Sequence, residues 1–291
     1  MKAKRIIALS LLAAGLGAAL AVQARTLIQN KGSDTLVNVA QAWAEAYPAI
    51  NPEVAVAVSG GGSGTGIAAM INGTVDIANS SRKMEEREMT AAEANGQHPV
   101  EHLVGFDALA VFINDKNPIT SLSLEQLRDI YGRGAKYTKW SDLGVKVPGC
   151  DSDEIIVASR QNNSGTYAYF KEAVLGEKGK YRTGTLDMHG SKEVVDLVEK
   201  TACAIGYSGL AYATDHVKMV CIAAQTGAPC VVPSVASASD HSYPIARPLY
   251  MYTNGEPRGE VRNYLDWILS DAGQCILMNK GYAPVRELKC E

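Results

Sequence analysis

Three short segments of this chain share one chemical character. Each is rich in glycine, serine and threonine and falls where a strand-like run gives way to a helix-like one. They are Lys31-Gly32-Ser33-Asp34-Thr35, Ser59-Gly60-Gly61-Gly62-Ser63-Gly64-Thr65-Gly66 and Arg160-Gln161-Asn162-Asn163-Ser164-Gly165-Thr166. A helix start carries unpaired N–H groups and a partial positive charge of roughly half a unit, so it holds an anion without a formal counter-charge. Glycine lets the backbone approach a ligand closely, and the hydroxyls add donors. Any one segment alone is an ordinary helix cap. Three in one chain, with Arg160 opening one and Arg82 following a strand-like run in Ala78-Asn79-Ser80-Ser81-Arg82, point to a shared anion pocket. The alternative for Arg82 is a solvated side chain beside Lys83 and Glu85.

Strands and helices alternate from the start of the chain, which is an α/β pattern. Residues 26–29 and 54–58 read as strands, and 36–47 carry apolar side chains at helical spacing. Residues 67–72 read as a short helix and 75–78 as a strand. A long apolar run at 103–113 precedes a helix over 123–131, where Ser123 and Gln126 fit a capping box. A strand at 155–159 leads into the third glycine-serine segment and a helix to about residue 175. Further helices at 191–200 and 260–278, and strands at 204–207, 217–222 and 248–252, complete the pattern. Residues 226–240 have no clear period and read as an irregular excursion.

Composition bounds the class. The chain has 291 residues, 46% hydrophobic and 20% charged, which excludes a disordered chain and a multi-span membrane protein. Lys2, Lys4 and Arg5 precede an apolar run over 6–22, and Val22-Gln23-Ala24 offers small residues for a signal peptidase, so cleavage is expected after Ala24. That run is short for a membrane span. The mature part then carries 25 Lys and Arg against 31 Asp and Glu, a net charge near −6, which argues against a nucleic-acid partner. Six cysteines, Cys150, Cys203, Cys221, Cys230, Cys275 and Cys290, form an even set for an exported, disulfide-permitting compartment. Cys275 and Cys290 can close a C-terminal loop. Two of Cys203, Cys221 and Cys230 can join neighbouring strands, leaving Cys150 for the third bridge. Their spacing does not form a zinc knuckle.

The Gly-Ser-Asp-Thr segment, the Ser-Gly-Gly-Gly-Ser-Gly-Thr-Gly loop, the Val-Asp-Ile-Ala-Asn-Ser-Ser-Arg segment and the Arg-x-x-x-Ser-Gly-Thr motif occur in this order in another group of proteins. In these motifs the chain resembles the periplasmic phosphate-binding proteins that deliver ligand to ABC phosphate importers, and the similarity spans nearly the whole mature chain. The resemblance implies a two-lobed periplasmic binding protein fold of type II, with mixed sheets flanked by helices and ligand in the interdomain cleft. It implies lobe I from 25–107 and 245–291, lobe II from 108–244, and crossover strands at 103–113 and 246–252 acting as a hinge. It further implies a ligand set. Ser33, Thr35 and Leu36 contribute hydroxyl or backbone donors, with Ser63 from the same lobe, and Arg160, Ser164, Gly165 and Thr166 close from the other. Ser80, Ser81 and Arg82 stand where many relatives place an aspartate that accepts the phosphate proton. Asp34 is the nearest substitute for that acceptor, its alternative role being to cap its own helix. The expected protein is a monomeric, non-enzymatic binding protein without cofactor or metal, not membrane-spanning, whose partners are inorganic phosphate and the membrane subunits of an ABC permease.

Rival readings start from shorter motifs. Another oxyanion, such as sulfate, phosphite or molybdate, would suit the same donors. Gly64-Thr65-Gly66-Ile67-Ala68-Ala69 has the G-x-G-x-x-A form of a dinucleotide fingerprint, with Glu85, Glu86 and Glu88 downstream, which would make an oxidoreductase. His98-Pro99-Val100-Glu101-His102 matches a zinc-protease string that needs a helix, whereas Pro99 and the following β-rich residues predict a turn and strand. None of Ser63, Ser164 and Ser208 has glycine at both the −2 and +2 positions of a nucleophile elbow.

Overall fold

The computed structural model describes residues 25–290, so the expected leader and its cleavage point lie outside the described residues. In chain order the elements are β1 (Thr26–Gly32), α1 (Val37–Ala46), β2 (Val54–Ser59), α2 (Ser63–Ile71), β3 (Ile77–Ser80), α3 (Glu86–Ala94), β4 (Pro99–Asn114), β5 (Ser121–Ser123) and α4 (Leu124–Tyr131). They continue with β6 (Ile156–Arg160), α5 (Gly165–Phe170), β7 (Leu186–Met188), α6 (Ser191–Lys200), β8 (Ala204–Gly209) and β9 (Val217–Met219). Then follow β10 (Cys221–Ala223), β11 (Cys230–Val231), α7 (Val235–Ser239), β12 (Ala246–Asn254), α8 (Gly259–Ile268) and α9 (Asp271–Asn279).

The large sheet runs β2-β1-β3-β12-β4-β8-β6-β7, with β9 also on β4. Its first part joins β1 in parallel to β2 and β3, while β12 is antiparallel to β3 and β4. β4 changes partner along its length: up to Ala108 it pairs with β12, and from Leu109 it pairs with β8 and β9. The two largest hydrophobic clusters fall on either side of this division. Ile28, Trp43, Val104, Met251 and Tyr264 pack in one, and Leu109, Ile130, Trp140, Phe170, Ile205 and Tyr207 in the other. The molecule is therefore two-lobed, and β4 and β12 are the strands that run between the halves. β4 from Ala108 to Asn114 and all of β8 are buried, as expected of near-continuous apolar strands covered on both faces.

Most elements lie where periodicity places them, and the Ser123 capping box forms, with Ser123 Oγ accepting from Gln126 N at 3.1 Å and Gln126 Oε1 from Ser123 N at 2.8 Å. The single helix expected over 260–278 is instead two. Leu269 ends α8, and Ser270 starts α9 by accepting a hydrogen bond from Gly273 N. The turn is tight enough to bring Gly273 against the carbonyls of Trp267 and Ile268, where a side chain would not fit. The excursion over 226–240 includes the short strand β11 and helix α7. Disulfides join Cys150 to Cys203, Cys221 to Cys230 and Cys275 to Cys290. Among the described residues no helix is long and apolar enough to cross a membrane.

Candidate functional site

β2, β1 and β3 are parallel neighbours, so their C-terminal ends meet at one edge, and that edge of an open α/β sheet is where ligands are taken. Ser33, Ser63 and Ser81 follow these three ends and are at most 1% exposed. Ser33 Oγ donates to Ser81 Oγ at 2.9 Å, Ser63 and Ser81 hydroxyls lie 3.3 Å apart, and Ser81 N donates to Ser63 Oγ at 3.0 Å. Gly62 caps α2 with φ 93°, a left-handed value that favours glycine, and an added Cβ there would lie 2.7 Å from the Asn163 carbonyl.

The facing side comes from the other half of the sheet. β6 delivers Arg160, and Ser164 caps α5 by accepting from Thr166 N at 3.2 Å and Tyr167 N at 3.3 Å. Gly165 lies against the Ser63 and Ser81 hydroxyls, with no room for a Cβ. Thr166 and Thr35 hydroxyls are 3.0 Å apart. Two further bonds span the halves: Gly64 N donates to Asn163 O, and Asn163 Nδ2 to Gly61 O, both at 2.9 Å.

Arg160 is 1% exposed. Its Nη1 donates to Ser191 Oγ at 3.0 Å, and its Nη2 to Asp34 Oδ2 and the His189 carbonyl, both at 2.9 Å. Its Nε has no protein partner, although buried donors are almost always paired. Burial pulls this guanidinium below its ordinary pKa, and Asp34 works in the opposite direction. Asp34 also accepts from Gly61 N through Oδ1 at 2.8 Å. It does not cap α1, whose N-cap is Leu36 without a side-chain bond; instead its two oxygens tie Arg160 to the Gly61 loop.

Two expected donors behave differently. Arg82 turns away: its Nη1 and Nη2 bind Glu88 Oε2 and Oε1, each at 2.7 Å, and Nη1 also reaches the Lys83 carbonyl. An acid six residues on, brought round by α3, captures it before it can join the cluster. The Leu36 N–H closes a turn onto the Ser33 carbonyl at 3.1 Å.

Sequence reasoning missed Asp107 on β4 and Arg247 on β12, both fully or almost fully buried. Arg247 Nε and Nη2 donate to Asp107 Oδ2 at 3.0 and 2.7 Å, and Leu210 N donates to Asp107 Oδ1 at 3.2 Å. Arg247 also donates through Nη1 to Thr166 Oγ1 at 3.1 Å and through Nη2 to Thr35 Oγ1 at 3.0 Å. Burial raises the Asp107 carboxyl pKa, opposed by Arg247. The available signal was an ionisable residue inside each of the apolar runs 103–113 and 246–252, since a charge there is retained only with a partner.

Hydroxyls from both halves and the capped start of α5 thus converge, with two buried guanidiniums, each paired with a carboxylate, bonded around them. Donors outnumber acceptors, which suits an oxyanion. The dinucleotide geometry is not present: Gly64 and Gly66 lie within α2, and Gly64 N is already bonded across to Asn163. His102 lies on strand β4, as the turn-and-strand reading predicts, and no helix aligns it with His98.

The PBP superfamily domain matches residues 19–272. The chain is 35% identical to the phosphate-binding protein PstS of Pseudomonas aeruginosa, covering 98% of this chain and 96% of that one. It is 31% identical to protein SphX of Synechococcus elongatus, over 90% of this chain and 78% of that one. Among solved structures it is similar to a putative phosphate ABC transporter substrate-binding protein with bound phosphate from Clostridium perfringens, at TM-score 0.79 and 27% identity, covering 90% of this chain and 100% of that one. An ABC-type phosphate transport receptor from Vibrio cholerae aligns at TM-score 0.68 and 26% identity, over 88% and 99% of the two chains. Fold and site together define a two-lobed substrate-binding protein of type II. The chain belongs to the PBP superfamily and, within it, to the PstS phosphate-binding protein family.

Proposed function

We propose that this protein captures inorganic phosphate between its lobes and delivers it to the membrane subunits of an ABC importer. The observation that carries the reading is Arg160, a buried cation with an unpartnered Nε–H, tied through Asp34 to the Gly61 loop, beside which hydroxyls from both halves of the sheet meet. The ligand set is Ser33, Asp34, Thr35, Ser63, Ser81, Arg160, Ser164, Gly165 and Thr166, without Arg82, which is held by Glu88, and without Leu36, whose N–H is held by the Ser33 carbonyl. Bound phosphate replaces the bonds these hydroxyls make with one another. Asp34 accepts the ligand proton, which favours phosphate over sulfate, because sulfate leaves that carboxylate unmatched. Lobe I comprises 25–107 and 245–291, lobe II comprises 108–244, and β4 with β12 forms the hinge on which they close. The protein works as a monomer in the periplasm after cleavage following Ala24. It binds and hands over its ligand without chemical change, and with no cofactor.

A thermal-shift panel of phosphate, sulfate, arsenate, phosphite, molybdate and nicotinamide cofactors tests the reading. Phosphate and its close mimic arsenate are expected to raise the melting temperature most, since a ligand that binds only the native state stabilises it. A larger shift with sulfate or molybdate would reassign the ligand, and one with a nicotinamide cofactor would revive the oxidoreductase reading.

A further inference from the structure

We propose that Arg247, clamped by Asp107, sets the Thr35 and Thr166 hydroxyls as hydrogen-bond donors and so makes the site prefer the doubly charged form of phosphate. This rests on the phosphate reading above and deepens it. A guanidinium has N–H groups to give and nothing with which to accept. Two of them end on Thr35 Oγ1 and Thr166 Oγ1, at 3.0 and 3.1 Å. Each hydroxyl oxygen thereby has a lone pair committed to a cation, which weakens it as an acceptor and strengthens its O–H as a donor. The guanidinium cannot swing away, because Nε and Nη2 are both fixed on Asp107 Oδ2 and the other carboxylate oxygen is held by Leu210 N. It is also the side chain that reaches a site residue from each half, and it sits on β12, one of the two strands joining them.

The consequence concerns ligand protons. Near neutrality phosphate exchanges between a dianion with one P–OH and a monoanion with two, and every P–OH needs an acceptor. Asp34 supplies one. With Thr35 and Thr166 biased toward donating, the second proton of the monoanion is poorly met.

Several titratable groups face Arg247. Asp107 is on β4, Asp34 and Arg160 are across the pocket, and the Tyr169 ring lies 5.7 Å from the guanidinium carbon. Tyr212, Tyr243 and Tyr282 surround the same pair. Burial holds all four tyrosines above the ordinary phenol value, so they stay neutral from acidic to neutral pH. Asp107 is removed as a variable in the test below.

Phosphate and sulfate affinities are measured by calorimetry from acidic to neutral pH in the full mature chain, in the double variant D107N/R247M and in T166A. Sulfate takes up no proton over this range, so it reports any change in the site that is purely structural. In the unsubstituted protein phosphate affinity is expected to fall by about tenfold per pH unit once the ligand takes its second proton, with sulfate nearly flat. In D107N/R247M phosphate binding at neutral pH weakens about tenfold and the acid-side slope shrinks, so the two ligands' profiles converge. T166A shows the same convergence to a smaller degree. A folded double variant that keeps the full phosphate slope, or loses phosphate and sulfate affinity equally at every pH, overturns the proposal. If the double variant does not fold, an unchanged slope in T166A overturns it. Failure of the unsubstituted protein to bind phosphate at any pH refutes the phosphate reading itself, a separate result.

Discussion

The segments that follow β3 and β6 present the same local signature, a strand end with an arginine next to small polar residues, yet they put their arginines to opposite uses. Arg160 is drawn inward, 1% exposed, where it shares Asp34 with the Gly61 N–H and keeps Nε free. Arg82 is turned onto α3, bidentate with Glu88, whose carboxylate also accepts from Glu85 N at 2.8 Å as part of the cap on α3. The difference teaches that the partner available on the next helix, and not the arginine or its strand, decides whether such a group keeps a free donor or becomes a structural tie.

The widest expected contrast is between the two truncations. Arg160→Ala removes the buried counter-charge and should weaken phosphate binding at least a hundredfold, on the order of 3 kcal/mol. Arg82→Ala should change it by less than about threefold, as for a pair outside the pocket. Calorimetric constants of similar size for both variants would erase the distinction.

A smaller effect is expected from Asp34→Asn. It should narrow the phosphate-over-sulfate preference by about tenfold, because the replacement no longer offers a charged acceptor for a P–OH. A ratio that stays put, whatever happens to each affinity alone, would remove Asp34 from proton recognition.

The smallest is Glu88→Gln, which concerns stability and leaves binding untouched. Burial acts to raise the Glu88 carboxyl pKa, but Arg82 and the Glu85 N–H outweigh it and hold it below the ordinary glutamate value of 4.5. A group whose pKa is lower in the folded state stabilises fully above its unfolded value, and that stability is lost as pH falls through the folded one. The substitution should therefore cost about 1 kcal/mol at neutral pH and nothing in strong acid, in urea melts at several pH values. A constant cost across that range would contradict the pairing.

Legibility in the sequence followed distance along the chain. The glycine-serine-threonine segments could be read because a helix start is written in consecutive residues, and the structure gathers Ser33, Thr35, Ser63, Ser81, Arg160, Ser164, Gly165 and Thr166 in one place. The alternation of strands and helices gave the α/β class for the same reason. Arg247 and Asp107, 140 positions apart, carry no local motif, and their pairing depends on the antiparallel register of β4 with β12. The break at Ser270 was hidden because apolar spacing continues across it, while the cap at Ser270 and the close approach that Gly273 permits are seen only in three dimensions. Arg82 was ambiguous because its acid partner lies a turn into a helix the pattern did not reveal.

Each of the three cystine bridges closes within one half of the molecule: two among the residues after the first crossover, and one between α9 and the C-terminal tail. Oxidation thus stiffens the separate bodies and leaves the joint between them unlocked. A molecule built this way gains rigidity within each half while no covalent cross-link ties one half to the other.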